Sequence, residues 1–496
     1  MNLSNMFLHE WRTRLAHPAA LASLAAFAAI LIYAAISGRI ESDARASAIA
    51  AHESQAIDAM GRWLADLQAL ETRGAQSGVA PWSASPMDLE FPSSLPPAPL
   101  ADFAIGQADL LPSAGKLSLW DPDVRLFSRY ELEDPVALAL GALDLSKTVV
   151  LLLPLLMIVL AFDILSAERD AGRLSLTLAQ GADLRKLFWQ RLWIRCAIVV
   201  SVAMAVAAAT FALNAASPLP ARLPAFVVWC ACTLAYGAFW FATIGYVASS
   251  NRSGESNIVR LLLCWASFTL IVPAAVTAIA EAIYPPPSRL AYLAQARRIE
   301  IETERREGVV ASGFFIDHPE LVVDDASEMP AYLRTAFFVT STVDNATRSV
   351  LDEFERAAAD RDDALALLRY VSPAIIAHGV FNEAAGTSSA RHHSYMAQAR
   401  EFKAAYAKQA GPFIAAGRRM PSDRVIPFPR FWFNDVPIGA VVAGALPALT
   451  FLAFATGALL LAADRRLRSI EPSSRCTTFR AHLQNIRDQN IREEIR

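Results

Sequence analysis

The feature that most constrains this chain is a set of six apolar runs, each long enough to cross a bilayer as a helix. A transmembrane helix needs about 20 mostly apolar residues. Lipid offers the backbone no hydrogen-bond partners, so a single segment that crosses the bilayer must satisfy its own N–H and C=O groups, as a helix does. The runs occupy residues 19–37, 147–165, 192–213, 223–248, 259–283 and 436–463. Pro154 and Pro273 lie inside two of them and predict local kinks. We therefore expect an all-α membrane protein with six transmembrane helices.

The composition agrees with several spans joined to large soluble segments. Of the 496 residues, 54% are hydrophobic, which is too many for an ordinary soluble protein. Charged residues make up 19%, which is too many for a chain that lies entirely in lipid. The net charge of −3 gives nucleic acid no electrostatic attraction, so no nucleic-acid partner is expected. The predicted outer loops contain no cysteine, so they have no disulfide framework.

Lysine and arginine are concentrated in the short segments on one side of the predicted spans. Short basic segments stay on the cytoplasmic side of a membrane. We therefore expect both termini inside, with cytoplasmic segments at 1–18, 166–191 and 464–496 and outer regions at 38–146 and 284–435. Residues 1–18 read as an interfacial helix. The alanine- and arginine-rich composition indicates a bacterial inner membrane, which makes the two outer regions periplasmic.

The two outer regions are expected to pack into one mainly helical extracytoplasmic domain, because neither has much core of its own. Apolar periodicity predicts helices at 40–73, 288–307, 332–370 and 391–409. Residues 74–99 read as an irregular connector, with short extended pieces in 103–123 and short strands in 308–325.

An aromatic group immediately precedes the last apolar run. It contains Phe428, Phe431, Trp432 and Phe433. The favoured interpretation is an interfacial belt, in which the rings lie at the level of the lipid headgroups. The alternative is a gate for a substrate.

The segment 166–191 is a charged, amphipathic elbow held between the second and third spans. Such an elbow lies at the membrane surface and can receive force from a soluble partner, although a merely solvated turn is the alternative. Its basic residues Arg185, Lys186 and Arg191 are expected to face anionic headgroups. Asp163, at the end of the second span, is either a boundary residue or a partner of Arg169 or Arg173, fixing the span to the elbow.

The chain has no phosphate-binding loop of the Walker A type. Its one Gly-Lys pair, Gly115-Lys116, is followed by Leu117 and lacks the glycine that the motif places six residues before the lysine. Any ATP-driven process must therefore use a nucleotide site on another chain. The spans also lack the paired buried acids of a proton-coupled transporter, and they lack catalytic pairs, so we expect a non-catalytic chain without a cofactor.

The second outer region contains potential metal ligands. Its histidines are His378, His392 and His393, with Asp317, His318 and Glu320 upstream. The region has no His-Glu-x-x-His motif and no cysteine partner. Ordinary solvated or capping roles are favoured, and no metal is expected.

The elbow resembles that of ABC-2-type permeases. The resemblance lies in Glu168-Arg169-Asp170-Ala171-Gly172-Arg173-Leu174, followed by Leu178 and Gln180. This chain has Asp170 where the family usually has Glu and Arg173 where it usually has Thr. The other matching segments are His9-Glu10-Trp11-Arg12, Glu133-Asp134-Pro135, Gly141, Asp144, Pro154-Leu155-Leu156, Ser372-Pro373-Ala374, Phe381-Asn382, Ala385-Gly386-Thr387, His392 and Arg400. Together they are similar to the large-loop subgroup of these permeases, which carries an uncharacterised extracytoplasmic domain.

The resemblance implies a six-span permease that pairs with a second permease chain, identical or a sister subunit, and binds a cytoplasmic ABC ATPase dimer. It implies that ATP and Mg are held by the ATPase and that the elbow is the coupling element. The residues it assigns to ATPase coupling are Glu168, Arg169, Asp170, Gly172, Arg173 and Leu174. We therefore expect a permease subunit that exports or extracts a substrate across the inner membrane, with a possible periplasmic partner. The alternative is a membrane-anchored periplasmic interaction or sensor protein without transport activity.

Overall fold

The structure is a computed structural model that is mostly helical. It describes residues 7, 10, 12, 16–80, 82–106, 112–123, 143–172, 183–214, 218–250, 252–285, 289–306, 328–426 and 428–470.

In the described part of the chain, six helical segments are long and apolar enough to cross a membrane, which confirms the predicted fold class. They are α1 (Pro18–Arg73), α2 (Leu145–Ala161) with α3 (Ser166–Asp170), α4 (Leu184–Leu213), α5 (Leu219–Ala248), α6 (Gly254–Ala266) with α7 (Val272–Ile283), and α13 (Ile438–Ile470). Between the last two lie α8 (Arg289–Arg305), α9 (Ala331–Leu368), α10 (Pro373–Ala385), α11 (Ser389–Ala415) and α12 (Ser422–Val425). The chain is thus a multi-pass membrane protein.

The first span does not stop at the membrane. Helix α1 has 56 residues and continues without a break as the predicted helix at 40–73. His17 begins it by accepting a hydrogen bond from the Ala19 N–H on its ring nitrogen. The side chains of Leu24, Phe27 and Leu31 enter the core of the span bundle, whereas Trp63 and Leu67 enter a second core. One helix therefore joins the bundle to the extramembrane domain.

The fifth span contains a local irregularity. A π-helical turn at Ser267–Ile271 separates α6 from α7, and Pro273 follows it immediately. Proline has no N–H to donate to the preceding turn, and a widened turn leaves carbonyls open to other donors. The irregularity thus lies directly before Pro273, and the kink expected there stays a prediction.

The extramembrane domain has a single core built from both large regions of the chain. The first region contributes the second half of α1 and a two-stranded antiparallel sheet of β1 (Phe91–Ser94) and β2 (Ala114–Leu117). The second region contributes α9, α11 and the segment before α13. Tyr395 and Tyr406 are fully buried in this core, and their hydroxyls donate to Ser93 Oγ and Pro86 O.

The aromatic belt predicted before the last span is wrong for three of its four members. Phe433 is buried, and Phe428 and Phe431 pack against the extramembrane core through rings of α11. Only Trp432, which is 86% exposed, is placed as a belt residue would be. Packing in the core is more favourable for the phenylalanines than contact with headgroups, because the sheet and α11 provide aromatic rings against which they pack closely.

One element of the second large region lies among the spans instead of in the soluble domain. The side chains of Ile376, Ala377, Val380 and Phe381 on α10 belong to the same buried core as α2, α5 and α13. Phe381 packs on Trp229 of α5 with 5.1 Å between ring centroids. The prediction that all of 284–435 lies outside the bundle is therefore wrong for α10.

Candidate functional site

The elbow begins where the second span breaks. Helix α2 ends at Ala161, four residues of turn follow, and α3 runs over Ser166–Asp170. The third span restarts at Asp183, whose carboxylate accepts from the Lys186 N–H and so caps α4. Of the six predicted coupling residues, Glu168, Arg169, Asp170 and Gly172 are described, whereas Arg173 and Leu174 lie outside the described residues.

Glu168 belongs to a network of five charged side chains, which we call the charge cluster: Glu10, Asp163, Glu168, Arg191 and Arg195. Glu10 contacts both guanidinium groups, at 3.0 Å from Arg191 Nε and 3.0 Å from Arg195 Nε. The other nitrogens reach outward, since Arg191 Nη1 lies 3.2 Å from Glu168 and Arg195 Nη1 lies 3.0 Å from Asp163. The cluster thus links the N-terminal segment, the end of the second span, the elbow and the start of the third span.

The charge cluster is largely withdrawn from solvent. The side chains of Glu10 and Arg195 are 2% and 4% exposed, and Arg195 also donates to the Leu160 carbonyl at 3.0 Å. Removing charged groups from water is costly unless each is paired, so the five groups stabilise one another only as a set. Loss of one partner from such a buried pair typically costs about 3–5 kcal/mol. The elbow is therefore held to two spans by contacts that are expensive to break singly.

The next residues of the elbow face outward. Arg169 and Asp170 form an ion pair at 3.4 Å with their side chains 35% and 62% exposed. Gly172 has φ of +68°, a left-handed conformation that favours glycine, and among the described residues no group lies within 4 Å of the position that a Cβ would occupy. This short stretch is the part of the described elbow that a soluble protein could contact.

The elbow also packs against the other spans. A Cβ on Gly254, at the start of α6, would lie 3.0 Å from Ser166 Oγ, so glycine permits the close approach of the fifth span to α3. On the other side, Arg185 pairs with Asp464 of α13. The predicted headgroup role is therefore wrong for Arg185 and Arg191, because both have protein carboxylates as partners, whereas Lys186 is exposed.

Sequence reasoning missed Glu10 and Arg195 and named other partners for Asp163. Asp163 pairs with Arg195 of the third span. The pairing of Arg195 could have been predicted from its position inside an apolar run, because an intramembrane arginine needs a buried acceptor. Glu10 carries no such signal, since a glutamate in a polar N-terminal segment is ordinary.

The histidines are used for structure. His392 Nε2 lies 3.1 Å from the Pro112 carbonyl, and His378 Nδ1 lies 3.1 Å from Asn382 Nδ2. Burial lowers the pKa of His392. Within the described ranges no group of three potential ligands is placed to hold a metal ion, and the upstream residues 317–320 lie outside those ranges.

The comparison with protein families matches residues 289–434 to a domain of unknown function, DUF3526. The match covers α8 to α12 and ends just before the last span. No curated protein matches the chain. The chain is therefore a multi-pass helical membrane protein that carries a DUF3526 domain between its fifth and sixth spans.

Proposed function

We propose that this chain is the transmembrane permease subunit of an ATP-driven ABC transporter and that the elbow receives the movement of a separate ATPase. The observation that carries the proposal is the charge cluster. Through Glu168 it fastens the elbow to the ends of the second and third spans, so a push on the elbow reaches both spans together.

The proposal assigns two roles within the elbow. Arg169 and Asp170 are the exposed groups that meet the ATPase, and the turn at Gly172 sets their direction. Glu168 faces inward and passes the displacement to Arg191. ATP and Mg are bound by the ATPase dimer, since this sequence has no Walker A motif of its own. The resemblance to ABC-2-type permeases supports the assignment, with Arg173 and Leu174 completing the contact.

The proposed location is a bacterial inner membrane with both termini cytoplasmic. The distribution of lysine and arginine supports this orientation, because the elbow and the segment after α13 are basic. The extramembrane domain is then periplasmic, where it closes the exit of the path or docks an envelope partner. A second permease chain, identical or a sister, completes the transporter.

The test is purification of the full-length chain from its own host in mild detergent, followed by identification and quantification of any ABC ATPase that it retains. Exchanging the exposed elbow pair, Arg169→Asp with Asp170→Arg, reverses the local field and is expected to lower the retained ATPase at least about tenfold. The matched control exchanges an exposed pair in the domain, Glu302→Arg with Arg306→Glu, whose side chains are 58% and 67% exposed. Equal ATPase retention in the two exchange variants would refute elbow coupling.

A second candidate is a membrane-anchored interaction or sensor protein. The size of the extramembrane core favours it, because both large regions of the chain build that core. In this case no ATPase co-purifies, and the elbow exchange has no effect on any property of the domain. A gene neighbourhood without an ABC ATPase would favour this candidate.

A further inference from the structure

The hairpin formed by the end of α9 and by α10 enters the span bundle and carries two opposite charges into it. Arg369 Nη1 lies 3.4 Å from Glu383 Oε1. Ionisable groups at membrane depth are costly and usually mark a pathway or a binding site. The pair stands out because most of the buried side chains of α10 are apolar, and its other polar pair, His378 with Asn382, is uncharged on the Asn382 side.

The depth of the hairpin follows from its contacts. Arg361 pairs with Glu281, near the domain end of the fifth span, at 3.6 Å. Arg369 follows Arg361 by eight residues, which is about 12 Å of helix at 1.5 Å per residue. The next residue, Tyr370, packs on Phe451 of α13 with 5.1 Å between centroids, about 20 Å along that helix from its start at Ile438. The guanidinium lies closer to the boundary than Tyr370 does, because its partner Glu383 lies beside Gly444, about 9 Å along α13 from Ile438. The ion pair is therefore within reach of a lipid headgroup.

The surroundings of Arg369 are those of a lipid-facing site. Leu367 is 77% exposed and Val371 is 53% exposed, and such apolar surface is stable against acyl chains but not against water. The side chains of Arg369 and Glu383 are 20% and 34% exposed. The pair is therefore reachable from the side, between α10 and α13.

The hydrogen bonds of the pair are incomplete. Arg369 Nη2 donates to Tyr370 OH at 3.2 Å, and the guanidinium lies 5.1 Å from the centre of that ring. Its Nε–H is buried and has no hydrogen-bond partner among the described residues. Glu383 Oε2 faces Gly444 of α13, where a Cβ would lie 3.7 Å away, so no side chain at that position covers the carboxylate.

We propose that Arg369 and Glu383 bind the headgroup of a zwitterionic phospholipid that carries a phosphate and a primary ammonium, as phosphatidylethanolamine does. The planar guanidinium is matched to phosphate oxygens, and the carboxylate accepts N–H bonds from the ammonium. A quaternary ammonium has no N–H to donate. A headgroup without a cation places its phosphate beside the Glu383 carboxylate with no ammonium to balance the two negative charges. The site therefore selects phosphatidylethanolamine over both phosphatidylcholine and phosphatidylglycerol.

The experiment counts lipids bound to the full-length protein by native mass spectrometry after titration of detergent-solubilised protein with each of the three lipids. The wild type is expected to retain phosphatidylethanolamine preferentially. Arg369→Gln is expected to weaken that binding by about tenfold or more, which is the usual value of a hydrogen bond to a charged group. Glu383→Gln leaves an unopposed cation and is expected to reverse the preference toward phosphatidylglycerol.

The matched control is Arg361→Gln, which lies on α9 eight residues before Arg369 and pairs with Glu281 near the domain end of the fifth span. Arg369→Lys keeps the charge without the planar fork and should retain part of the binding, which separates recognition from misfolding. Equal retention of the three lipids by the wild type, or an effect of Arg369→Gln no larger than that of Arg361→Gln, would show annular lipid only and overturn the proposal. Lipid binding at this site does not depend on ATPase coupling, so the assay measures it without an ATPase present.

Discussion

At the scale of single residues, Arg195 is the group on which the charge cluster most depends. It contacts Glu10 and Asp163, and its removal leaves carboxylates in a setting with little water. We expect Arg195→Met to lower the free energy of unfolding by about 3–5 kcal/mol, and Glu10→Gln by about 1–3 kcal/mol, because Asp163 and Glu168 still balance the two arginines. Thermal unfolding in detergent measures both.

If the charge cluster acts as one unit, the losses in free energy of unfolding caused by the two substitutions are not additive. In the Glu10→Gln background, Arg195→Met should cost less than it does alone, because one of its partners is already neutral. Arg306→Met serves as the control, since its pair with Glu302 is exposed and worth under about 1 kcal/mol. Strict additivity would mean that the five charges act independently.

Asp102 provides a pH-dependent prediction outside the spans. It is 1% exposed, accepts from Asn214 Nδ2 at 3.0 Å, and burial raises its pKa from 3.8 to about 6. A raised folded-state pKa favours the protonated form, so its stabilising effect is present below pH 3.8 and is lost as the pH rises through 6. The loss amounts to at most about 3 kcal/mol.

Asp102→Asn removes this titration while keeping the side-chain shape. The variant is expected to unfold at a higher temperature than the wild type at pH 7.5, and the difference should shrink toward pH 4.5. Thermal unfolding across this range in one detergent measures it. A difference that does not vary with pH would show that Asp102 is ionised throughout in the folded protein.

At the scale of elements, the start of α10 is fixed to the π turn of the fifth span. Ser372 accepts from the Ala374 N–H, which caps α10, and donates its hydroxyl to the Phe268 carbonyl within the π turn. Ser372→Ala removes both bonds and is expected to destabilise α10 by about 1–2 kcal/mol. Ser372→Thr keeps a hydroxyl and serves as the control.

Hydrogen exchange measures the loss of stability helix by helix. Amides of α10 should exchange about tenfold faster in Ser372→Ala, whereas those of α11 should be unaffected. Equal acceleration in both helices would mean that the hairpin and the extramembrane core unfold as one unit.

The elements differ in how far their sequences predict them. The six spans follow from apolar length alone, because lipid leaves the backbone few alternatives. The place of helix α10 among the spans does not follow from its sequence. Its 13 residues are too short for a span, and the charges of Arg369 just before it and Glu383 within it indicate a soluble segment. The charge cluster was half predicted: Glu168 follows from the elbow pattern, but its link to Glu10 joins positions that are distant along the chain and depends on how the helices pack.

At the scale of the whole molecule, the DUF3526 segment shares its core with the first large region. Its core includes Trp63 and Leu67 of α1 and Phe91 of β1, all from the first large region. Lys403 adds ion pairs that join the two regions. Its side chain is 4% exposed, and its ammonium lies 2.8 Å from Asp123 of the first region and 3.1 Å from Asp344 of the second. In addition, α10 buries its apolar face in the core of the spans.

We therefore expect residues 289–434, produced alone, to lack a cooperative thermal transition and a near-ultraviolet circular dichroism signal. A separated segment exposes the faces of α9 and α11 that the first region covers, and conformational entropy then outweighs the remaining burial. Joining residues 40–123 to 289–434 through a flexible linker should restore the transition in the presence of detergent, which shields α10. Lys403→Met in the joined chain should lower its midpoint, because it leaves Asp123 and Asp344 together without a cation. A sharp two-state transition of residues 289–434 alone, without detergent, would show that the segment folds without either the first region or the spans.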